Sequence, residues 1–432
     1  MSPAPPPAAP GRGDGRPEGP PAPTAPSSPA PTAPSSTPHG IGVAPRRRPL
    51  GESRPAVLVL RALGLGDLLT AVPALRALRR GLPDFEIVLA APRELAPVVR
   101  LVDCVDRLLP VAGREREVPP ALPRAAARPA LAVNLHGRGP ASHRLLARSA
   151  PGTLWAFHHP SVPEVPGPAW VPYEHERLRW CRLLRWYGLA ADPEDLRIAP
   201  PDAPGPVEGH AGPVVLHPGA RAPARRWPVE RFAAVAREVR RAGRPVVVTA
   251  GPGEAPLARA VAERAGLAPS ALAGGPQGLP VDELCGLVAG AHCVVVGDTG
   301  LAHLATALGT RSVVLYGPVS PALWGPPAAD GRHTALWHPG PDGDPESGQP
   351  GDPHADHPDA RLLRITVDEV LAEVLAEPTA PRAAAEPSLV PGRSPVCTSP
   401  GLGTSPTPAP GLPPAPPPSE AAAADRHEGA GP

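Results

Sequence analysis

The sequence predicts an α/β protein made of two halves, each alternating short apolar strands with amphipathic helices in the manner of a parallel sheet. Three observations carry this expectation. Continuous apolar runs such as residues 57–60 (VLVL) and 294–296 (VVV) have the look of strands buried on both faces. Apolar residues at helical spacing follow the first of them, at Leu68, Val72, Leu75 and Leu78. The alternation then breaks at residues 200–212 (PPDAPGPVEGHAG) and starts again.

In chain order, residues 57–60 are the first strand, followed by the helix through Leu78. Residues 87–90 and 131–135 read as the next strands, separated by helical and proline-rich stretches. Residues 173–187 read as a helix with an apolar face of Leu178, Trp180, Leu183, Leu184 and Tyr187. Beyond the break, 214–217 is a strand and 229–242 a helix; 245–249 and 257–265 repeat the pair. Residues 281–289 form a helix, 294–296 a strand ended by Gly297, and 312–316 a further strand. Residues 367–375 form a last helix, placed against the first half.

Of the 73 prolines, 31 lie in residues 1–54 and 378–432, among Ala, Ser, Thr and Gly. Such segments cannot bury enough apolar surface to offset chain entropy, so both read as disordered tails. The expected domains are therefore residues 55–205 and 206–377. Every one of the 42 basic residues is arginine, and Asn134 is the only asparagine, a coding bias towards Ala, Arg, Gly and Pro. A net charge of +1 gives no bulk reason to expect a nucleic-acid partner. Cys104, Cys181, Cys285, Cys293 and Cys397 form no C-x-x-C pair and read as small core residues in a reducing compartment. No apolar run is long enough to span a bilayer. The run that follows Arg46-Arg47-Arg48 is interrupted by Arg61 and Asp67, unlike a signal peptide. The expectation is a cytoplasmic protein.

Residues 294–309 (VVVGDTGLAHLATALG) say most about function. A strand ends at Gly297, and a helix must begin at Asp298-Thr299-Gly300. A helix start offers unpaired N–H groups and partial positive charge, which suit a phosphate. Capping of a core helix by Asp298 or Thr299 is the other reading, and the local pattern leaves both open. The first half has a matching turn, residues 61–70 (RALGLGDLLT). Its Gly64-x-Gly66 invites a dinucleotide reading, but Leu69 stands where the redox fingerprint has Gly or Ala. No acid closes a second strand at the ribose position, so a nicotinamide or flavin enzyme is not expected. Asp67 at the mouth of this turn either caps its helix or takes a proton from a substrate hydroxyl.

His217 follows a strand of the second half, and Arg225 and Arg226 precede the next helix at the same sheet edge. Cations and free N–H groups converging on one edge suit a diphosphate. Gly251 to Glu254 forms another strand-end turn, with Glu254 placed to accept hydrogen bonds from a ribose or base. The acidic, Gly/Pro-rich loop 338–360 contains His338, His354 and His357, but a loop of that kind seldom orders metal ligands, and no metal site is expected.

Four segments in order carry a family resemblance: residues 66–75 (GDLLTAVPAL), 217–220 (HPGA) running on to 226–232 (RWPVERF), 251–254 (GPGE), and 297–305 (GDTGLAHLA) with 315–318 (LYGP). Over about residues 56–376 the chain resembles glycosyltransferase family 9, the ADP-heptose:lipopolysaccharide heptosyltransferases. The resemblance implies a GT-B fold, two Rossmann-like domains facing a cleft, with the acceptor on the first and a nucleotide sugar on the second. It implies an inverting, metal-independent transfer of a heptose-like sugar from a nucleoside-diphosphate donor to a glycan or glycolipid hydroxyl, without a cofactor. By the same likeness Asp67 is the general base and Arg225 stands where the family usually has a lysine on the diphosphate. Asp298, Thr299, Gly300 and His303 match the nucleotide-sugar loop, and His217, Gly251 and Glu254 enclose the nucleoside. A monomer touching the inner membrane only peripherally is expected. Two other readings compete: a non-catalytic GT-B scaffold that binds a nucleotide sugar, and an isomerase that acts on the donor alone.

Overall fold

The computed structural model describes residues 54–111, 117–201, 212–339 and 351–376. The proline-rich tails, most of the 200–212 break and part of the 338–360 loop lie outside the described residues, as does Cys397.

The first half runs β1 (Ala56–Leu60), α1 (Leu65–Thr70), α2 (Val72–Gly81), β2 (Glu86–Ala91), α3 (Ala96–Val102), β3 (Arg107–Pro110), β4 (Leu131–Asn134), α4 (Ala141–Ala147), β5 (Thr153–Trp155) and α5 (Glu176–Trp186). The second half runs β6 (Val214–His217), α6 (Val229–Arg241), β7 (Val246–Thr249), α7 (Ala255–Ala265), β8 (Leu272–Ala273), α8 (Val281–Ala289), β9 (Cys293–Gly297) and α9 (Gly300–Leu308). It continues through β10 (Ser312–Leu315), α10 (Pro321–Trp324), β11 (His333–Leu336), α11 (Ala360–Arg364) and α12 (Val367–Leu375).

The strands pair in parallel throughout, in a five-stranded sheet ordered β3-β2-β1-β4-β5 and a six-stranded sheet ordered β11-β10-β9-β6-β7-β8. Both are doubly wound. Strand order reverses between β1 and β4 in the first sheet and between β6 and β9 in the second, and ligands bind outside the carboxyl ends at such points. The turn bearing Asp67 leaves β1, and the turn bearing Asp298 leaves β9, so each motif lies at a switch point. The expected α/β class with two Rossmann-like halves holds.

One apolar cluster runs through both halves. It joins Val57, Leu75, Ile87 and Val133 of the first to Val215, Val294, Val296, Leu301 and Leu304 of the second. The cysteines Cys104, Cys181, Cys285 and Cys293 are buried and free, and burial pushes their thiols up to about 12, 12, 11 and 12 respectively. Among the described residues no helix is long and apolar enough to cross a membrane.

Two expectations need correction. The last helix does not lie against the first half. Val370 and Val374 of α12 are fully buried and belong to the cluster of Phe232, Val235 and Val239 on α6, because each helix carries a single apolar stripe and the two stripes meet. The helix expected over 173–187 starts later, at Glu176, where the His175 ring accepts a hydrogen bond from the Arg177 N–H at 3.3 Å. Tyr173 and Leu178 are exposed, since the buried face of α5 is Glu176, Arg179, Trp180, Leu183 and Leu184.

That buried face carries charge for a reason. Arg61, just after β1, has no exposed surface. Its guanidinium donates to the carbonyls of Asp67 (2.8 Å) and Leu135, to the Thr70 hydroxyl (3.3 Å) and to the Glu176 carboxylate (3.0 Å). It also lies over the Trp180 ring, 4.7 Å from the centroid. Glu176 in turn accepts from Trp180 Nε1 (3.0 Å) and Arg179 (2.7 Å). One buried cation therefore ties β1, α1, β4 and α5 together. Removing a single member of a buried ion pair leaves an uncompensated charge. Glu176→Leu is expected to lower unfolding stability by about 3–5 kcal/mol, read from the urea midpoint; a loss under about 1 kcal/mol would show that Arg61 keeps its other partners at no cost.

Candidate active site

Asp67 is the third residue of α1. Its Oδ2 accepts a hydrogen bond from the Gly64 N–H at 3.3 Å, while Oδ1 lies 3.8 Å from Arg61. The helix-capping role anticipated for it is therefore present, and the carboxylate still lines a cavity of about 540 Å³. The other walls of that cavity include Gly64, Gly66, Arg225, Asp298, Thr299, Gly300, His303 and Trp324. Residues predicted from two different halves thus meet around one space.

They meet because the starts of α1 and α9 touch. A Cβ on Gly300 would sit 3.1 Å from the Gly66 nitrogen, and a Cβ on Gly66 would sit 3.3 Å from the Gly300 Cα and 2.7 Å from the His303 ring. A methyl on Gly66 would displace the His303 ring, and one on Gly300 would press tightly on Gly66 and Leu65. The His303 ring packs between Gly66 and Trp324, whose ring centroid is 5.7 Å away. Loss of water there lowers its imidazole below the ordinary histidine range, against the pull of the Asp298, Asp67 and Glu176 carboxylates.

Thr299 is the N-cap residue of α9, yet its side chain makes no capping bond, and its hydroxyl is buried without a partner among the described residues. The capping alternative therefore fails for Thr299, and a buried hydroxyl at a helix start is left for something else to satisfy. Arg225 arrives on a short 3₁₀ turn (Pro223–Arg225). Its Nη1 donates to the Asp298 carbonyl at 3.2 Å and lies 3.5 Å from the Asp298 carboxylate. Arg226 goes elsewhere: its Nε donates to the Ala220 carbonyl at 2.8 Å, and it does not line the Asp67 cavity. Adjacent in sequence, the two arginines are not a pair in space.

A second cavity, of about 720 Å³, shares Leu65, Glu94, Arg221, Thr299 and Gly300 with the first. His217, Thr249, Gly251 and Glu254 line it. Glu254 accepts from the Gly251 N–H (2.9 Å) and lies 3.5 Å from His217, which pairs with the Thr249 hydroxyl at 3.0 Å. Burial holds His217 below its ordinary range, with Glu254 opposing. The two cavities form one cleft along the carboxyl edges of both sheets. Among the described residues no group of three or more His, Cys, Asp or Glu could hold a metal ion.

Sequence reasoning missed four contributors. Arg61 anchors the Asp67 turn, and Arg221 lines both cavities. His136 follows β4 with both ring nitrogens buried and unpartnered among the described residues. His175 bridges the halves, its Nε2 paired with the Gly325 carbonyl at 3.0 Å. Burial pushes both of these histidines down to about 4.

Two facing doubly wound sheets with a cleft along their carboxyl edges have the architecture of a GT-B fold. The model of glycosyltransferase family 9 (heptosyltransferase) matches residues 189–342, which span most of the second half and the end of the first. That match supports the expected likeness to the family and the expected enzyme class, a glycosyltransferase. No curated protein matched the chain. Among solved structures it is similar to the glycosyl transferase family 9 protein of Veillonella parvula, at 19% identity and a TM-score of 0.58, covering 76% of this chain and 98% of that one. It is also similar to E. coli ADP-heptose lps heptosyltransferase II (19% identity, 74% and 97% covered, TM-score 0.57). A third likeness is to E. coli heptosyltransferase WaaC with ADP (19% identity, 73% and 95% covered, TM-score 0.51). At this identity the structural likeness establishes the fold.

Two outcomes follow from the site's packing. Gly→Ala within a helix ordinarily stabilises by about 0.5–1 kcal/mol. Gly66→Ala is expected to do the reverse, costing about 1–3 kcal/mol in a urea titration, because the new methyl strikes the His303 ring. His136 and His175 are neutral in the fold and protonate near pH 6.5 once unfolded. Their contribution is complete above pH 6.5 and is lost as pH falls towards 4, so the melting temperature should drop across that window. The double replacement of both histidines by Gln should make the drop shallower, the remainder belonging to His143, His217, His303 and His333, which burial also lowers; an unchanged slope would assign all of it to other groups.

Proposed function

We propose that the protein is an inverting, metal-independent glycosyltransferase. It moves a sugar, heptose-like by family likeness, from a nucleoside-diphosphate donor to a hydroxyl of a glycan or glycolipid. The observation that carries this reading is that Asp67, Arg225 and the start of α9 line one cavity from opposite halves. In this mechanism the acceptor lies against the first half, and Asp67 takes the proton of its hydroxyl as the oxygen bonds to the anomeric carbon. The bond from that carbon to the diphosphate oxygen breaks on the opposite side, which inverts the centre.

Negative charge grows on the departing diphosphate, where Arg225 and the N–H groups of α9 stabilise it. Arginine in place of the family's usual lysine supplies two planar donors rather than a point charge, which suits a diphosphate. The nucleoside then occupies the larger cavity beside His217, Gly251 and Glu254. No cofactor enters this scheme. A cytoplasmic monomer, meeting glycolipid acceptors at the inner face of a membrane, is part of the same proposal.

A thermal-shift panel of ADP-, GDP-, UDP- and dTDP-sugars identifies the donor, since a bound ligand stabilises the native state by mass action. With that donor and a panel of lipid-linked and free glycans, transfer is expected to persist in EDTA. Asp67→Asn is expected to lower turnover by about 10²–10⁴-fold while donor binding stays intact. Full turnover in that variant would sink the general-base assignment. Donor binding without transfer or hydrolysis in the native protein would instead favour a sugar-binding scaffold, and product formed from donor alone would favour an isomerase.

A further inference from the structure

The larger cavity is not built from the second half alone. A 3₁₀ turn of the first half, Arg93–Leu95, follows β2 and places Arg93 and Glu94 on its wall, with Leu65 and Pro97 beside them. Arg93 is exposed and makes no hydrogen bond or ion pair among the described residues. It faces the cavity into which Thr299, Gly300 and Leu301 open at the start of α9, and into which Arg221 also looks. An arginine with no hydrogen bond or ion pair among the described residues, lining a cavity that a helix N-terminus also lines, is suited to an anion bound in that cavity.

We infer that Arg93 is a donor-binding residue supplied by the acceptor half, closing on the diphosphate of the nucleotide from the side opposite α9. This rests on the reading of the cleft as a nucleotide-sugar site, and it goes further by giving the first half a direct part in holding the donor. The other charged groups on this wall bear on the choice. Glu254 is engaged by the Gly251 N–H and His217. Glu94 lines both cavities and opposes a diphosphate, so the cations Arg93 and Arg221 on the same lining carry the attraction. Asp282, in the first turn of α8, lines the same cavity and, among the described residues, is the lining carboxylate left to compete for Arg93.

The consequence is an ordered assembly. A donor that bridges the two halves through Arg93 presents the acceptor with a finished wall, so donor affinity depends on a residue of the acceptor domain. Because Arg93 has no partner to lose among the described residues, its replacement leaves the fold alone, and binding can be read without a stability correction.

The test is isothermal titration of the full-length protein with ADP and with adenosine, in the native form and in Arg93→Ala, Arg93→Lys and Asp282→Asn. Arg93→Ala is expected to weaken ADP about tenfold, the loss of one charge-assisted contact to phosphate. It should leave adenosine within about twofold and the ligand-free melting temperature unchanged, while Arg93→Lys recovers part of the ADP affinity. An ADP affinity unaltered in Arg93→Ala overturns the inference, as does an equal loss for ADP and adenosine, which would mean altered cavity shape. If Asp282→Asn reproduces the Arg93→Ala loss, Arg93 belongs to an ion pair across the cleft and the inference also falls. Failure of the native protein to bind ADP, GDP or UDP at all would overturn the nucleotide-sugar reading itself, a result distinguishable from the others because it precedes any substitution.

Discussion

The whole site depends on one close approach, that of the N-terminus of α1 to the N-terminus of α9. Two helix starts meet this closely where the facing residues are glycine, and Gly66 and Gly300 supply the gap, with the Leu65 side chain packed beside Gly300. From that contact the rest is placed. Asp67 follows Gly66 by one residue, and Asp298 and Thr299 precede Gly300, so a carboxylate of one half and a helix start of the other share a wall. Both helix starts bring partial positive charge to the same point. That crowding is unfavourable between the helices themselves, and an anion in the cleft relieves it. The contact that joins the halves is thus also a reason for the cleft to be filled.

Behind the contact lies Arg61, which shows how the first half affords a precise turn on so short a helix. α1 has six residues and little helical stability of its own. Arg61 grips the Asp67 carbonyl from below while Glu176, Trp180 and the Leu135 carbonyl hold Arg61. Rigidity at Asp67 therefore comes from α5 and β4, far along the chain. Buried charge of this sort contributes little net stability, but it fixes one geometry.

Much of this was legible in the sequence, and the reason is local. Strand–turn–helix signals at residues 57–70 and 294–309 depend on neighbouring residues only, so the fold class and the two motif-bearing turns could be read directly. What escaped depends on distant partners. Arg61 interrupts an apolar run, and nothing nearby says that Leu135 and Glu176, 74 and 115 positions away, will bury it. Edge strands such as β8, two residues long, and β11, half-exposed, lack the apolar continuity that marks β1 or β9. The divergence of Arg225 and Arg226 is set by a 3₁₀ turn that no periodicity announces. The placement of α12 turned on which of two apolar surfaces its stripe would meet, a choice that only the packed structure resolves.

The apolar cluster shared by the two halves has a mechanical meaning. Halves joined only at a polar rim swing freely about their connection, whereas a large apolar interface resists such motion. Here one apolar cluster runs from sheet to sheet through the packed helices α1, α3, α8 and α9, and His175 fastens α5 to the Gly325 carbonyl of the opposite half. Opening the cleft by a wide hinge would tear that core and expose it to water. Substrate entry and product exit are therefore matters for the loops at the rim, with the two sheets serving as the fixed jaws of a vice rather than as the leaves of a door.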